Sequence, residues 1–493
     1  MRFAVINARY PLDEEADSIV FSREHGILYA GGEAGVERFK PLKIIDADQH
    51  LVVPGLADAH THLYSTALTF RNLDLRGVAS IDELKERVRK TVESVGRGEW
   101  IVGRGWDQDK MAEKRYPTRH DLDEVAPDNP VVLVRVCGHA ALLNTEAIRI
   151  LGLMNKKQGW EKFIQIEDGK PTGIIFEDMV GYVLSRVPPP PVEKVEETVR
   201  RLLKEYLSYG VTTLHSMSVA ESELEIISRI ISSGEFIHEY RAYIDYEEFL
   251  KGTHNKYPEL TRGVKIFSDG SFGARTAALR ENYADAPVQG QLLLDSEKIL
   301  GIASEVVSKG LDLAVHAIGD KAVQEVLKTA HRLKNLLRIE HASLTPPDLI
   351  EEIALTRPRI SVQPHFILSD TWIIDRLGSR ALWTYAYRSL IYSGAALMGS
   401  SDSPVEPINP WLGIYAATTR GENEQLPFYR YTWFEKLSFR EAVKLYSENT
   451  VKGRSLVILN TRRVPESLEE HRKIRATTIL TSRGIEYLRT SQA

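Results

Sequence analysis

Two histidines one residue apart, His60 and His62, are the first sign of chemistry in this chain. In an extended strand, residues i and i+2 point to the same side, so the pair can offer two imidazoles to one metal ion. With 14 histidines in 493 residues, composition alone produces about 0.4 such pairs. Their weight comes from what stands at other apolar runs. Lys265 lies within Val264–Phe267, His316 follows Leu313–Val315, His341 closes Glu340-His341 after Leu336–Ile339, and Asp402 comes soon after Ala395–Met398. Imidazole nitrogen and carboxylate oxygen suit Zn²⁺ and similar divalent ions. A catalytic metal site keeps a position for water, whose pKa the metal lowers. Asp402 is then placed to take the water's proton and hand it to a leaving amine. Lys265 needs another role, because an ammonium cannot bind a cation. Reaction of its amine with CO₂ would give an anionic carbamate able to bridge two metals; the alternative is a salt bridge to Asp269 or a neighbouring acid.

Around this set stand weaker candidates. His215 follows Val211–Leu214 and His365 follows Gln363-Pro364; each could support a ligand or touch substrate, or be a satisfied core histidine. Arg275, in Asp269-Gly-Ser-Phe-Gly-Ala-Arg, could clamp a carboxylate or oxyanion. His139 and Glu177 fall in a long insertion, where the plain reading is an ordinary polar surface.

These residues must be positioned by strands. Eight apolar runs have the length of buried parallel strands: Leu51–Ala57, Val211–Leu214, Arg241–Ile244, Val264–Phe267, Leu313–Val315, Leu336–Ile339, Ile360–Val362 and Ala395–Met398. Amphipathic stretches such as Val192–Leu207, Ser296–Lys309 and Lys321–Leu333 lie between them. Eight β/α units predict a closed (β/α)8 TIM-type barrel, whose active site sits at the carboxyl ends of the strands. The barrel is expected to span 51–77 plus 192–450, with an α/β insertion or lid at 78–191 that contains a strand at Val131–Val136. Short runs at Phe3–Ile6, Ser18–Phe21, Ile27–Ala30 and Leu42–Ile45 predict hairpins, and Thr477–Ile479 with Ile485–Tyr487 predict one more. Residues 1–50 and 451–493 are expected to form a small β-sandwich.

Composition narrows the classes. Hydrophobic residues make up 43% and charged residues 27%, ordinary for a globular chain. A net charge of −5 from 63 basic and 68 acidic residues gives no basic field for nucleic acid. A single cysteine, Cys137, excludes an internal disulfide and any cysteine-only metal cluster. Charges among residues 1–17 leave no signal-peptide core, and no uncharged apolar run reaches membrane-spanning length. A cytoplasmic protein acting on a small-molecule substrate is expected, with no nucleic-acid or membrane partner.

Taken together, the motifs resemble the amidohydrolase superfamily, and more closely amidohydrolase family 3, the group of N-substituted formamide deformylase. They are Asp58-Ala59-His60-Thr61-His62, Val264-Lys265-Ile266-Phe267-Ser268-Asp269-Gly270-Ser271, His316-Ala317-Ile318-Gly319-Asp320, Arg338-Ile339-Glu340-His341-Ala342 and Ser401-Asp402-Ser403-Pro404-Val405. The resemblance covers roughly residues 1 to 450. It implies metal ligation by His60, His62, His316 and His341, Asp402 as the acid/base beside the metal, and a carboxylated Lys265 in binuclear members. Family members carry segments similar to those of His139 and Glu177, which implies a lid that contacts substrate, with Glu177 a candidate for an extra metal ligand. The resemblance implies one or two divalent metals per chain, zinc first among them, a barrel with a small β-sandwich, and a homodimer. The expected activity is hydrolysis of a carbon–nitrogen bond in an amide, carbamate or formamide, through metal-activated water. Two alternatives stand beside it: a mononuclear heterocycle deaminase, and a non-catalytic metal-binding protein. Deaminase relatives place a glutamate just after the fifth-strand histidine and lack the lysine, whereas here Ala317 follows His316 and Lys265 is present.

Overall fold

Eight parallel strands carry the residues singled out above. In the computed structural model, which describes residues 1–153, 162–447 and 454–487, they are β1 (Leu56–Thr61), β2 (Val211–Val219), β3 (Glu239–Asp245), β4 (Thr261–Phe267), β5 (Asp312–Ala317), β6 (Leu337–His341), β7 (Arg359–Val362) and β8 (Ala396–Gly399). Each pairs in parallel with the next, from β1 through to β8. The loop after β8 then returns to β1. Asp402 N–H donates to the His60 carbonyl at 2.7 Å and His62 N–H to the Ser403 carbonyl at 2.8 Å. Asp58 adds side-chain bonds, accepting from Ser401 N–H at 3.0 Å and Ser401 Oγ at 2.5 Å. The eight-stranded sheet is thus nearly closed as a barrel, its seam lying between the strand of His60 and the loop of Asp402.

Two strand limits differ from the sequence expectation. Leu51–Ala57 is not one strand: Val52–Pro54 pairs antiparallel with Leu456–Leu459, and Leu56–Thr61 enters the barrel. Gly55 marks the division. A Cβ there would lie 1.8 Å from Ser455 Oγ and 2.3 Å from Thr212 Oγ1, so the crowded crossing requires glycine. β2 runs on to Val219, which places His215 inside the strand rather than beyond it. Its pairing with β3 shifts register between Met217 and Val219, where Ser218 takes a φ of 53°. This local irregularity has the character of a β-bulge, which re-aims neighbouring backbone groups.

The helices Val192–Ser208, Ser296–Ser308 and Asp320–Leu333 match the amphipathic stretches within a residue. Asp295 caps the second, accepting from Lys298 N–H at 2.9 Å.

Two four-stranded sheets accompany the barrel in one unit, residues 1–66 with 199–493. The first contains Arg2–Ile6, Ser18–Ser22, Gly26–Gly31 and Lys43–Asp46. They are not successive hairpins, because Lys43–Asp46 crosses over to pair in parallel with Arg2–Ile6. The second contains Val52–Pro54, Leu456–Leu459, Ala476–Leu480 and Ile485–Tyr487, all antiparallel. Val5, Ile19 and Phe21 share a core with Val52, Leu456 and Ile458, so the two sheets bury their apolar faces together.

Residues 67–198 form a second compact unit. Its six-stranded mixed sheet contains Val131–Arg135. Val131 and Leu133 enter one core while Val132 and Val134 enter another, so both faces are covered. Period-2 alternation into two apolar layers explains an unbroken apolar run.

Candidate metal centre

The carboxyl ends of β1 and β6 and the loop after β8 bring His60, His341 and Asp402 together, each offering a ligand atom within 4.8 Å of the others. His62 joins them: His60 Nε2 and His62 Nε2 both lie 3.2 Å from Asp402 Oδ1. His316 packs against His341, ring centroids 4.4 Å apart, and His341 against His60 at 4.9 Å. Two of these residues sit on left-handed backbone, His341 at a φ of 76° and Asp402 at 56°. Such conformations are uncommon outside glycine and cluster at functional sites.

The hydrogen bonds behind the rings decide which nitrogens face the cluster. His60 Nδ1 lies 2.6 Å from Glu340 Oε2, and His62 Nδ1 lies 3.0 Å from the Met217 carbonyl at the β2 irregularity. His316 Nε2 lies 3.0 Å from the Gly270 carbonyl. His341 Nδ1 lies 2.8 Å from Gln363 Oε1. The orientation of that amide is fixed in turn, since Gln363 Nε2 donates to Ser400 Oγ at 3.0 Å and Ser400 Oγ donates to the Val362 carbonyl. All four partners are acceptors, so in each ring that nitrogen carries the proton and the other keeps its lone pair. The free positions are Nε2 of His60, His62 and His341, and Nδ1 of His316. Lone pairs on His60 and His62 aimed at a carboxylate oxygen call for a positive charge among them, and N and O donors of this kind fit a divalent metal.

The charges in this layer are strongly perturbed. Burial and the Lys265 charge push His316 down to about 3. Burial drives His341 far below the ordinary histidine value, with His316 adding to it. Burial also brings the Lys265 amine down to about 8, against the pull of Glu340 and Asp402.

Lys265 Nζ is buried, has no hydrogen-bond partner among the described residues and lies 4.9 Å from the Phe267 ring centroid. The alternative salt bridge to Asp269 is not formed. Asp269 instead accepts from the N–H groups of Ala278, Ile318 and Gly319 at 2.9, 3.0 and 2.8 Å, tying the loop after β4 to the end of β5. A buried amine whose charge is felt at His60, His316 and His341 and drawn on by Glu340 and Asp402 fits conversion to an anion that accepts a cation.

The remaining sequence candidates make contacts of their own. His215 is buried in β2 and accepts at Nδ1 from Arg338 Nη1 at 2.7 Å. Arg275 makes a two-pronged pair with Asp285 at 3.0 and 2.8 Å, so its guanidinium is engaged within its own loop. His365 pairs with Glu406, which also accepts from Ser369 Oγ. In the second unit, exposed His139 and Glu177 pair with each other at 3.0 Å. Sequence reasoning gave no role to Arg338, Glu340, Gln363 or Asp58. A signal for the first two was present: charges of opposite sign at i and i+2 in a strand share one face and can pair there.

An eight-stranded parallel barrel with metal-competent donors at its carboxyl ends is the frame of a metal-dependent hydrolase. The chain belongs to the amidohydrolase family, whose model matches residues 43–452. It is 32% identical to YtcJ of Bacillus subtilis, named as an amidohydrolase, over 81% of this chain and 79% of that one. It is 24% identical to the N-substituted formamide deformylase of Arthrobacter pascens, over 83% of this chain and 80% of that one. Among solved structures, a metal-dependent hydrolase from Pyrococcus furiosus superposes with a TM-score of 0.74 at 35% identity, covering 90% of this chain and 93% of the other.

Proposed function

We propose that this hydrolase cleaves a carbon–nitrogen bond in a small amide, carbamate or formamide. The observation that carries the reading is the convergence of two imidazole lone pairs on one Asp402 oxygen, each 3.2 Å away. Support for the bond class comes from the name of the Arthrobacter relative. A divalent cation, zinc being the first to test, would be held by His60, His62, His316, His341 and Asp402, and supplies Lewis acidity towards water and a carbonyl oxygen when bound. Lys265 would add its carbamate, formed when the neutral amine attacks CO₂ and releases a proton. The Asp402 carboxylate takes a proton from the attacking water and returns it to the departing nitrogen, so that the carbonyl carbon gains OH and the amine gains H.

The test is metal content per chain by elemental analysis, on protein purified without chelators and with bicarbonate present. About two metals, falling in the Lys265→Ala variant, would support the carbamate-bridged site, and turnover would then be sought among formamides, amides and carbamates. No bound metal, or none of these substrates hydrolysed by metal-loaded protein, would overturn the reading.

A further inference from the structure

Beneath the histidines lies a charged pair that the reaction above does not use. Arg338 and Glu340 are two residues apart on β6, both 0% exposed. Arg338 Nε lies 2.6 Å from Glu340 Oε1, and Nη2 donates to Glu340 Oε2 at 3.2 Å. Nη2 also donates to the Ala59 carbonyl in β1, one residue before His60. Nη1 donates to His215 Nδ1 at 2.7 Å, and the guanidinium stacks 5.0 Å from the Tyr243 ring centroid. Glu340 Oε2 in turn receives His60 Nδ1–H at 2.6 Å.

A guanidinium only donates, and a carboxylate paired with it only accepts. The two ends of this pair therefore impose opposite choices on two similar rings. We infer that the Arg338–Glu340 pair is a positioning device that sorts two histidines into opposite tautomers, making His60 a lone-pair donor at Nε2 and His215 a hydrogen-bond donor at Nε2. The His60 half rests on the metal-centre reading above; the His215 half does not. Both oxygens of Glu340 are engaged by Arg338 and His60, so Glu340 itself stays outside the ligand set. The Ala59 bond ties the device to the strand that carries His60, so tautomer and strand register are set together. Partners of this kind orient ligand histidines in metal sites and raise ligand basicity.

Two measurements test the inference on the full chain. Long-range ¹H–¹⁵N spectra of histidine-labelled wild type, assigned through loss of one signal in His60→Gln and in His215→Gln, report the tautomers directly. His60 should carry its proton on Nδ1 and His215 on Nε2; the reverse at either ring overturns the proposal. Zinc affinity, read by competition with a chromophoric chelator, should weaken by about 10–100-fold in the paired variant Arg338→Met with Glu340→Gln, which removes both buried charges at once. Unchanged affinity in that variant, shown folded by circular dichroism, also overturns it. Should the paired variant not fold, the wild-type spectra still decide. Failure of wild type itself to bind zinc would sink the metal-centre reading, and the spectra would then judge the tautomer assignment alone.

Discussion

Asp312, at the amino end of β5, and Asp402, beyond the carboxyl end of β8, are both carboxylates sunk in the same barrel, but their company differs. Asp312 is met by Arg262 Nε at 2.9 Å, Arg359 Nη2 at 2.8 Å and Tyr243 O–H at 3.5 Å. Each partner is a donor, and the three come from the starts of β4 and β7 and from the middle of β3. Asp402 faces two imidazole nitrogens whose protons are committed elsewhere, with an orphaned amine in the same layer. One end of the barrel satisfies its charge internally and the other does not. Buried polar groups left wanting partners cost free energy, so the upper cluster holds together at a cost that a cation would offset. The lower cluster is a clasp; the upper one is a receptor.

That contrast is broken most directly at Asp402. Asp402→Asn should lower turnover by about 10²–10⁴-fold, measured on whichever formamide, amide or carbamate the wild type hydrolyses. Wild-type turnover in this variant would refute the acid/base assignment. Next in size is the effect of stripping metal. Binding at a thousand times the dissociation constant stabilises by about 4 kcal/mol, so chelator-treated protein should melt earlier and regain its midpoint on adding zinc. The same addition should do nothing for His60→Ala combined with His62→Ala. A zinc response that survives loss of both histidines would place the receptor elsewhere.

Asp312→Ala probes the opposite end. Arg262 and Arg359 would lose their shared acceptor, but both are partly exposed and can turn to water, so the expected loss is about 2 kcal/mol. Circular dichroism melting should show a lower midpoint while zinc content per chain stays at the wild-type value. If zinc content fell in step with stability, the two ends could not be treated as separate.

Both clusters were unequally legible in the sequence. The ends of the strands were readable because buried parallel strands are continuous apolar runs, so a polar residue just past one stands out; His316, His341 and Asp402 were singled out that way. The division at Gly55 was hidden, because Val52–Pro54 and Leu56–Thr61 flank it with similar apolar residues and only the approach of Ser455, 400 residues away in the chain, shows why glycine is there. Lys43–Asp46 was misread as part of a hairpin because its parallel pairing with Arg2–Ile6 leaves no turn signal between them. Arg275 pointed towards a ligand in the sequence, yet Asp285 lies ten residues on in the same loop and engages it. Partner choice among charges depends on tertiary approach, which residue spacing alone does not carry.

The smallest predicted effect is also the most specific to the receptor end. Gln363 touches no candidate metal position; it holds His341 from behind at 2.8 Å, and Ser400 holds Gln363. Gln363→Leu keeps a similar volume but leaves Nδ1–H of a buried imidazole without an acceptor, so the ring can rotate or take the other tautomer. Zinc affinity should fall by about tenfold, equivalent to about 1.4 kcal/mol. Gln363→Glu restores an acceptor at the same distance and should recover most of that loss. A structural explanation, in which Gln363 merely packs β7 against β8, predicts a different pattern: Leu would be tolerated, and Glu, which brings a buried negative charge, would be the more damaging. Comparing zinc affinity in the two variants therefore separates orientation of a ligand from packing of a strand.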